Sequence, residues 1–142
     1  MFELDSRLAG DSTRLAESEL NLLLLMNDQR YPWCILVPKR ENLSEWFELS
    51  EPEQLQLLRE SMLVSAALKN LFNADKINIG ALGNIVRQLH VHHIARYIDD
   101  PAWPGPVWGH SPATPYNAEL LQDTASVLKS SPLSTCFSFL AL

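Results

Sequence analysis

Three of the chain's four histidines fall in one short run, Gln88-Leu89-His90-Val91-His92-His93-Ile94-Ala95-Arg96. An unperturbed imidazole has a pKa of about 6.5, so near neutrality it can offer a lone pair or carry a proton. If the run is a strand, Gln88, His90 and His92 share one face while Leu89, Val91 and His93 point the other way. Polar rings along one face of an apolar strand are costly unless they meet partners or a ligand. Three readings fit. The histidines are satisfied by solvent or by their own fold. They form part of a zinc site, to which His110 and a carboxylate would have to contribute. Or a neutral imidazole attacks an electrophile and splits one hard displacement into two easier ones.

The rest of the chain must position these groups. Its 142 residues are 46% hydrophobic and 20% charged, enough for a core without disulfide or metal staples. The net charge of −6 repels polyanions, so a nucleic-acid polymer is not an expected partner. Cys34 and Cys136 lie far apart with no CxxC neighbour, which suits a reducing compartment. The acidic start, Met1-Phe2-Glu3-Leu4-Asp5, is unlike a signal peptide, and Leu20–Met26 is too short to cross a bilayer. A cytoplasmic protein without membrane contact is expected.

Periodicity and punctuation predict the elements. A short helix is expected over about 12–18, then a buried strand at Leu20–Met26 and another at Trp33–Val37 between Pro32 and Pro38. Ser50 and Glu53 form a capping box with Pro52 in the first turn, opening a helix over 51–73. Leu55, Leu58, Met62, Leu63, Ala66 and Leu71 recur at helical spacing as its expected core stripe. Lys76–Ala81 reads as a strand, Leu82-Gly83-Asn84 as a turn, and Val86–Ile94 as the antiparallel partner. Residues 99–115 hold five of the prolines with Trp103 and Trp108, an irregular loop that forms a site wall, a subunit contact or cover for the tail. Thr114-Pro115 is expected to open a second helix over about 116–129. Whether 131–142 is ordered is left open by the sequence. The fold class is α+β, a mostly antiparallel sheet with two main helices.

The histidine run resembles the signature of the histidine triad (HIT) superfamily, His-φ-His-φ-His-φ-φ with φ apolar. Gln88 stands at the first histidine, His90 at the middle and His92 at the last, with Ile94-Ala95-Arg96 like the family's Leu-Pro-Arg ending. Val37-Pro38-Lys39-Arg40 is similar to the family's strand-ending Pro-Lys-Lys, and Asn78–Asn84 to its Asn-x-Gly…Gly-Gln run. The resemblance implies one HIT-like domain over 1–142 and a nucleotide hydrolase or nucleotidyl transferase acting at an α-phosphate. The substrates it implies are nucleoside phosphate conjugates such as dinucleoside polyphosphates. It also implies His90 as nucleophile, with His92 and Gln88 orienting the phosphate and Asn84 and the Gly83 backbone donating to it. Asn27 and Asp28 fall to the ribose hydroxyls, unless they are simply a turn. Leu4, Leu25 and Ile35 line the base pocket or pack in the core, and Lys39, Arg40 and Arg87 are surface charges unless a polyphosphate passes them. No cofactor is required, although a divalent metal could accompany a polyphosphate, and a homodimer is the implied assembly. The chain departs from the pattern at Gln88, at His93 and at Trp33, where many members have a further histidine after a glycine rather than Pro32. Triads with one Gln occur in branches of the superfamily. With proton shuttling reduced, a nucleotide-binding protein of little turnover is the rival reading.

Overall fold

The computed structural model describes residues 1–142. Strands β1 (Ser12–Glu17), β2 (Asn21–Met26), β3 (Trp33–Pro38), β4 (Lys76–Gly80), β5 (Val91–Arg96) and β6 (Ser138–Phe139) form one sheet. Its order is β4-β5-β3-β2-β1-β6, and every neighbouring pair is antiparallel. Helices α2 (Glu51–Leu71) and α3 (Ala118–Lys129) are the two long ones, and α1 (Ser6–Asp11) is a short third. The fold is therefore α+β with an antiparallel sheet.

Both faces of the sheet are covered, which is why β2 and β3 read as unbroken apolar runs rather than alternating ones. Leu23, Leu25, Cys34 and Leu36 pack with Leu57, Val64 and Leu68 of α2 and Leu128 of α3. Leu22, Leu24, Trp33, Ile35 and Val37 pack on the other face with Leu8 of α1 and with Ala102 and Val107 of the proline-rich segment. That second face carries the histidine site.

Four expectations need correction. Residues 12–17 are strand, not helix, because they pair with β2 and β6; the helix lies earlier, capped by the Asp5 carboxylate on the Arg7 amide. Strand β5 begins at Val91 rather than Val86, so ten residues separate it from β4 and Gln88 lies outside the strand. The α3 helix is capped by Asn117, not opened at Thr114. The tail, whose order the sequence leaves open and which is no correction, is ordered, with β6 pairing against β1.

The fourth correction concerns α2. Its capping box forms as expected between Ser50 and Glu53. Leu55, Leu58, Met62, Leu63, Ala66 and Leu71 are nevertheless all exposed, and Leu57, Glu60, Ser61, Val64, Ala67 and Leu68 face the sheet. Polar anchors set this rotation. Fully buried Glu60 accepts from Ser18 Oγ at 2.5 Å, Asn21 Nδ2 at 3.1 Å and Gln56 Nε2 at 2.5 Å, while Ser61 Oγ lies 2.6 Å from His93 Nε2. A buried polar group with partners costs little, and a count of apolar residues cannot see it.

Candidate active site

His90 ends the β4–β5 connection, one residue before β5, and is buried. Its Nδ1 lies 2.7 Å from the Gln88 carbonyl oxygen. A carbonyl only accepts, so Nδ1 carries a proton, and in the neutral ring Nε2 is the nitrogen with the free lone pair. The backbone two residues upstream thus fixes both the tautomer and the ring.

One pleat along, His92 stacks edge-on against His90 with ring centroids 4.9 Å apart. It is enclosed further by Trp33 and Trp108, at centroid distances of 5.6 Å and 5.4 Å. The Trp33 indole donates to His92 Nδ1 at 2.9 Å. Burial, reinforced by the neighbouring His90 and His93, pushes the His92 pKa down to about 3. His92 is a neutral ring with its proton on Nε2. His93 points to the opposite face, fully buried against Ser61, and burial lowers its pKa to about 4.

Gln88 takes a different place from the one its alternation suggests. Its Oε1 accepts from the Asp5 amide and its Nε2 donates to the Glu3 carbonyl, both at 2.9 Å. With Arg7 donating to the Ile85 carbonyl at 3.1 Å, it fastens the N-terminal segment to the β4–β5 connection. Its amide is spent on backbone, while its own carbonyl holds His90.

A cleft of about 620 Å³ opens beside His90, lined by Gly83, Asn84, Asn27, Asp28, Trp33 and Trp108 among others. That is the size of an ordinary small-molecule site. Gly83, at φ +69°, makes the turn that presents Asn84, whose side chain has no protein partner. A smaller cleft of about 350 Å³, with Ser44 and Arg87 in its wall, shares Gly83, Asn84 and His90 with the first. His90 therefore stands where the two meet. Asn27 Oδ1 accepts from the Tyr116 amide at 2.9 Å. Asp28 is clasped by Arg30 through Nε and Nη2, each at 2.9 Å, and also takes the Thr114 amide. Burial alone would raise the Asp28 pKa, but Arg30 and these amides outweigh it and hold the carboxyl below its usual range.

Leu25 and Ile35 lie in opposite core layers and Leu4 packs at the edge of one, so none lines the cleft. Lys39 pairs with Glu17 and Arg40 with Glu53, leaving Arg87 as the one of those three cations at the site. His110 is exposed and bonds Ser111, and no group of three His, Cys, Asp or Glu side chains gathers to hold a metal ion.

Sequence reasoning missed how the tryptophan segment is held. Buried Arg96 reaches Asp100 through Nε at 2.8 Å and Nη2 at 3.0 Å, Asn78 Oδ1 at 2.7 Å and the Gly105 carbonyl at 2.7 Å. Its guanidinium also lies 5.7 Å from the Trp103 ring centroid. This clamp folds the segment back so that Trp108 reaches His92. Gly80, paired with His92, makes room, since a Cβ there would sit 2.9 Å from Trp108 Cη2. The only sequence signal was the i, i+4 spacing of Arg96 and Asp100, which on a strand end carries no expectation.

Comparison with known proteins agrees with this geometry. The profile of the HIT domain family matches residues 7–99. A histidine triad protein from Marinobacter aquaeolei VT8 is 50% identical with a TM-score of 0.89, covering 91% of this chain and 94% of its own. Another from Sinorhizobium meliloti 1021 is 51% identical with a TM-score of 0.88, covering 90% and 95%. At 20% identity, a hypothetical histidine triad nucleotide-binding protein from Sulfolobus tokodaii shares the fold, with a TM-score of 0.61 and coverage of 80% and 78%. No functionally curated protein matches significantly. With the profile covering most of the chain and relatives of about half identity along nearly its whole length, the chain belongs to the histidine triad (HIT) family, whose members generally bind or hydrolyse nucleotides.

Proposed function

We propose that the protein is a nucleotide hydrolase in which His90 attacks the α-phosphate of a nucleoside phosphate conjugate such as a dinucleoside polyphosphate. The observation that carries this reading is the His90 Nδ1 bond to the Gln88 carbonyl, which makes Nε2 the lone-pair nitrogen of the neutral ring beside the cleft. Nε2 forms a bond to phosphorus as the leaving group departs with its electron pair, giving a nucleotidyl-histidine. Water then attacks phosphorus, the P–N bond breaks, and the electron pair returns to Nε2 while the water proton passes to solvent. Splitting the displacement lets placement and charge stabilisation supply most of the acceleration.

The His92 Nε2–H donates to a phosphoryl oxygen, and the Asn84 amide with the Gly83 backbone adds donors across the turn. Gln88 acts through its carbonyl and its anchoring of the N-terminal segment rather than by touching phosphate. The ribose hydroxyls fall to the Asn27 amide nitrogen, which has no protein partner, and to Asp28 Oδ2, which takes a single donor from Arg30. No resident cofactor enters, and a divalent cation would arrive with a polyphosphate. The protein acts in the cytoplasm as a homodimer. Edge strand β4 with exposed Ile79, and the outward leucines and Met62 of α2, support a second copy covering them.

Product analysis on diadenosine tetraphosphate, with wild type and His90→Ala, with metal chelated or added, tests the proposal. AMP release lost in the variant is expected. Nucleotide binding without turnover by the wild type would instead favour a binding protein, as the spent Gln88 amide and neutral His92 would then imply.

A further inference from the structure

We propose that Trp33 fixes His92 as a permanent hydrogen-bond donor, so that the site expels leaving groups that depart as anions, phosphates and polyphosphates, and not amines. This rests on the hydrolase reading above and narrows its substrate class to phosphoanhydrides.

An indole N–H can only donate. At 2.9 Å from His92 Nδ1 it requires a lone pair there, which puts the single ring proton on Nε2. Protonating Nδ1 would set two N–H groups head to head in a buried pocket closed by the rings of Trp33, Trp108 and His90. His92 can therefore stabilise an oxygen, but giving up its one proton would leave an imidazolate. A histidine that delivers protons must first be an imidazolium, and Trp33 prevents that.

No other group at the site replaces it. Apart from His90, neither cleft is lined by a histidine, lysine, tyrosine or cysteine; His92 stands one pleat along from it rather than in either wall. Besides Asp28, the acids of the walls are Asp11 and Glu45, carboxyl groups open to solvent. The His90 Nδ1 proton is committed to the Gln88 carbonyl, and the Gln88 amide to Glu3 and Asp5. Asp28 is held as a carboxylate by Arg30.

The consequence follows from the bond that breaks. In a phosphoanhydride, His90 Nε2 forms the P–N bond while the bridging oxygen leaves with its electron pair on a phosphate. The second ionisation of a phosphate monoester lies near pH 6, so that oxygen needs no proton to depart. In a phosphoramidate, nitrogen must gain a proton as its bond to phosphorus breaks, or leave as an amide ion. The site offers none. Arg87 in the smaller cleft beside His90 also suits an anionic leaving group.

Two measurements test this, and they fail separately. Imidazole 15N NMR on the wild type should give His92 as one fixed tautomer with the proton on Nε2 between pH 5 and 8. Trp33→Phe should let the two tautomers average. Side by side, kcat/KM for diadenosine tetraphosphate should far exceed that for adenosine 5′-phosphoramidate in the wild type. That preference should shrink by about tenfold or more in Trp33→His, which supplies a ring able to relay a proton. A wild-type His92 protonated on Nδ1, or equal cleavage of both substrates, would overturn the proposal. No AMP from either substrate would overturn the hydrolase reading and the leaving-group rule with it, while the NMR result still decides the tautomer.

Discussion

Lowering the pH from 7 to 5 should remove much of the protein's stability before its carboxylates begin to titrate. His92 and His93 are both buried, and burial lowers their pKa values to about 3 and about 4. A base whose folded pKa is depressed contributes stability that is present above its unfolded pKa and lost as the pH falls. In the unfolded chain each has a pKa of about 6.5, so over this range it takes up a proton that the native state does not bind, costing about 2 kcal/mol per histidine and about 4 kcal/mol for the pair. Both native values lie below the window, so the cost depends on the unfolded pKa and hardly on how far each is shifted. The lowered carboxyls of Asp28 and Asp100 add their loss only further into acid. Urea unfolding at the two pH values, on wild type and on a His92→Gln, His93→Gln double variant, measures the effect. The wild type should lose about 4 kcal/mol and the double variant about 1 kcal/mol or less. Equal losses in the two proteins, or none in the wild type, would refute the reasoning.

Gln88→Ala removes one half-buried and one exposed hydrogen bond, together worth about 1–2 kcal/mol, and should speed hydrogen exchange at the Asp5 amide while loosening the carbonyl that holds His90. Gly80→Ala drives a methyl into Trp108 Cη2; it should cost about 1–3 kcal/mol and shift the tryptophan fluorescence as that ring leaves His92. Asp100→Asn leaves the buried Arg96 guanidinium without its counter-charge and should cost about 3–5 kcal/mol, read by thermal unfolding.

The placement of the histidines was legible because strand alternation is local: His90 and His92 one pleat apart on one face, His93 on the other, follow from spacing alone. The two-faced burial of β2 and β3 was equally visible in their unbroken apolar runs. What could not be read depends on long-range partners. Gln88 matched the triad position, yet the N-terminal segment, more than eighty residues away in sequence, claims its amide. The α2 helix turned its leucines outward because Glu60 and Ser61 find buried polar partners on β2 and β5, which periodicity does not register. Trp33 was noticed as a departure from the family pattern, but its hydrogen bond to His92 exists only through the β3–β5 register that pairs Ile35 with His92.

The central claim is that His90 becomes covalently nucleotidylated, and trapping that intermediate tests it most directly. The protein is mixed with diadenosine tetraphosphate, quenched in alkali within one turnover, digested and examined by mass spectrometry. The account predicts one adenylyl group on His90, labile to acid and absent from His90→Ala. Release of AMP with no adduct, or with the adduct on another residue, would contradict it.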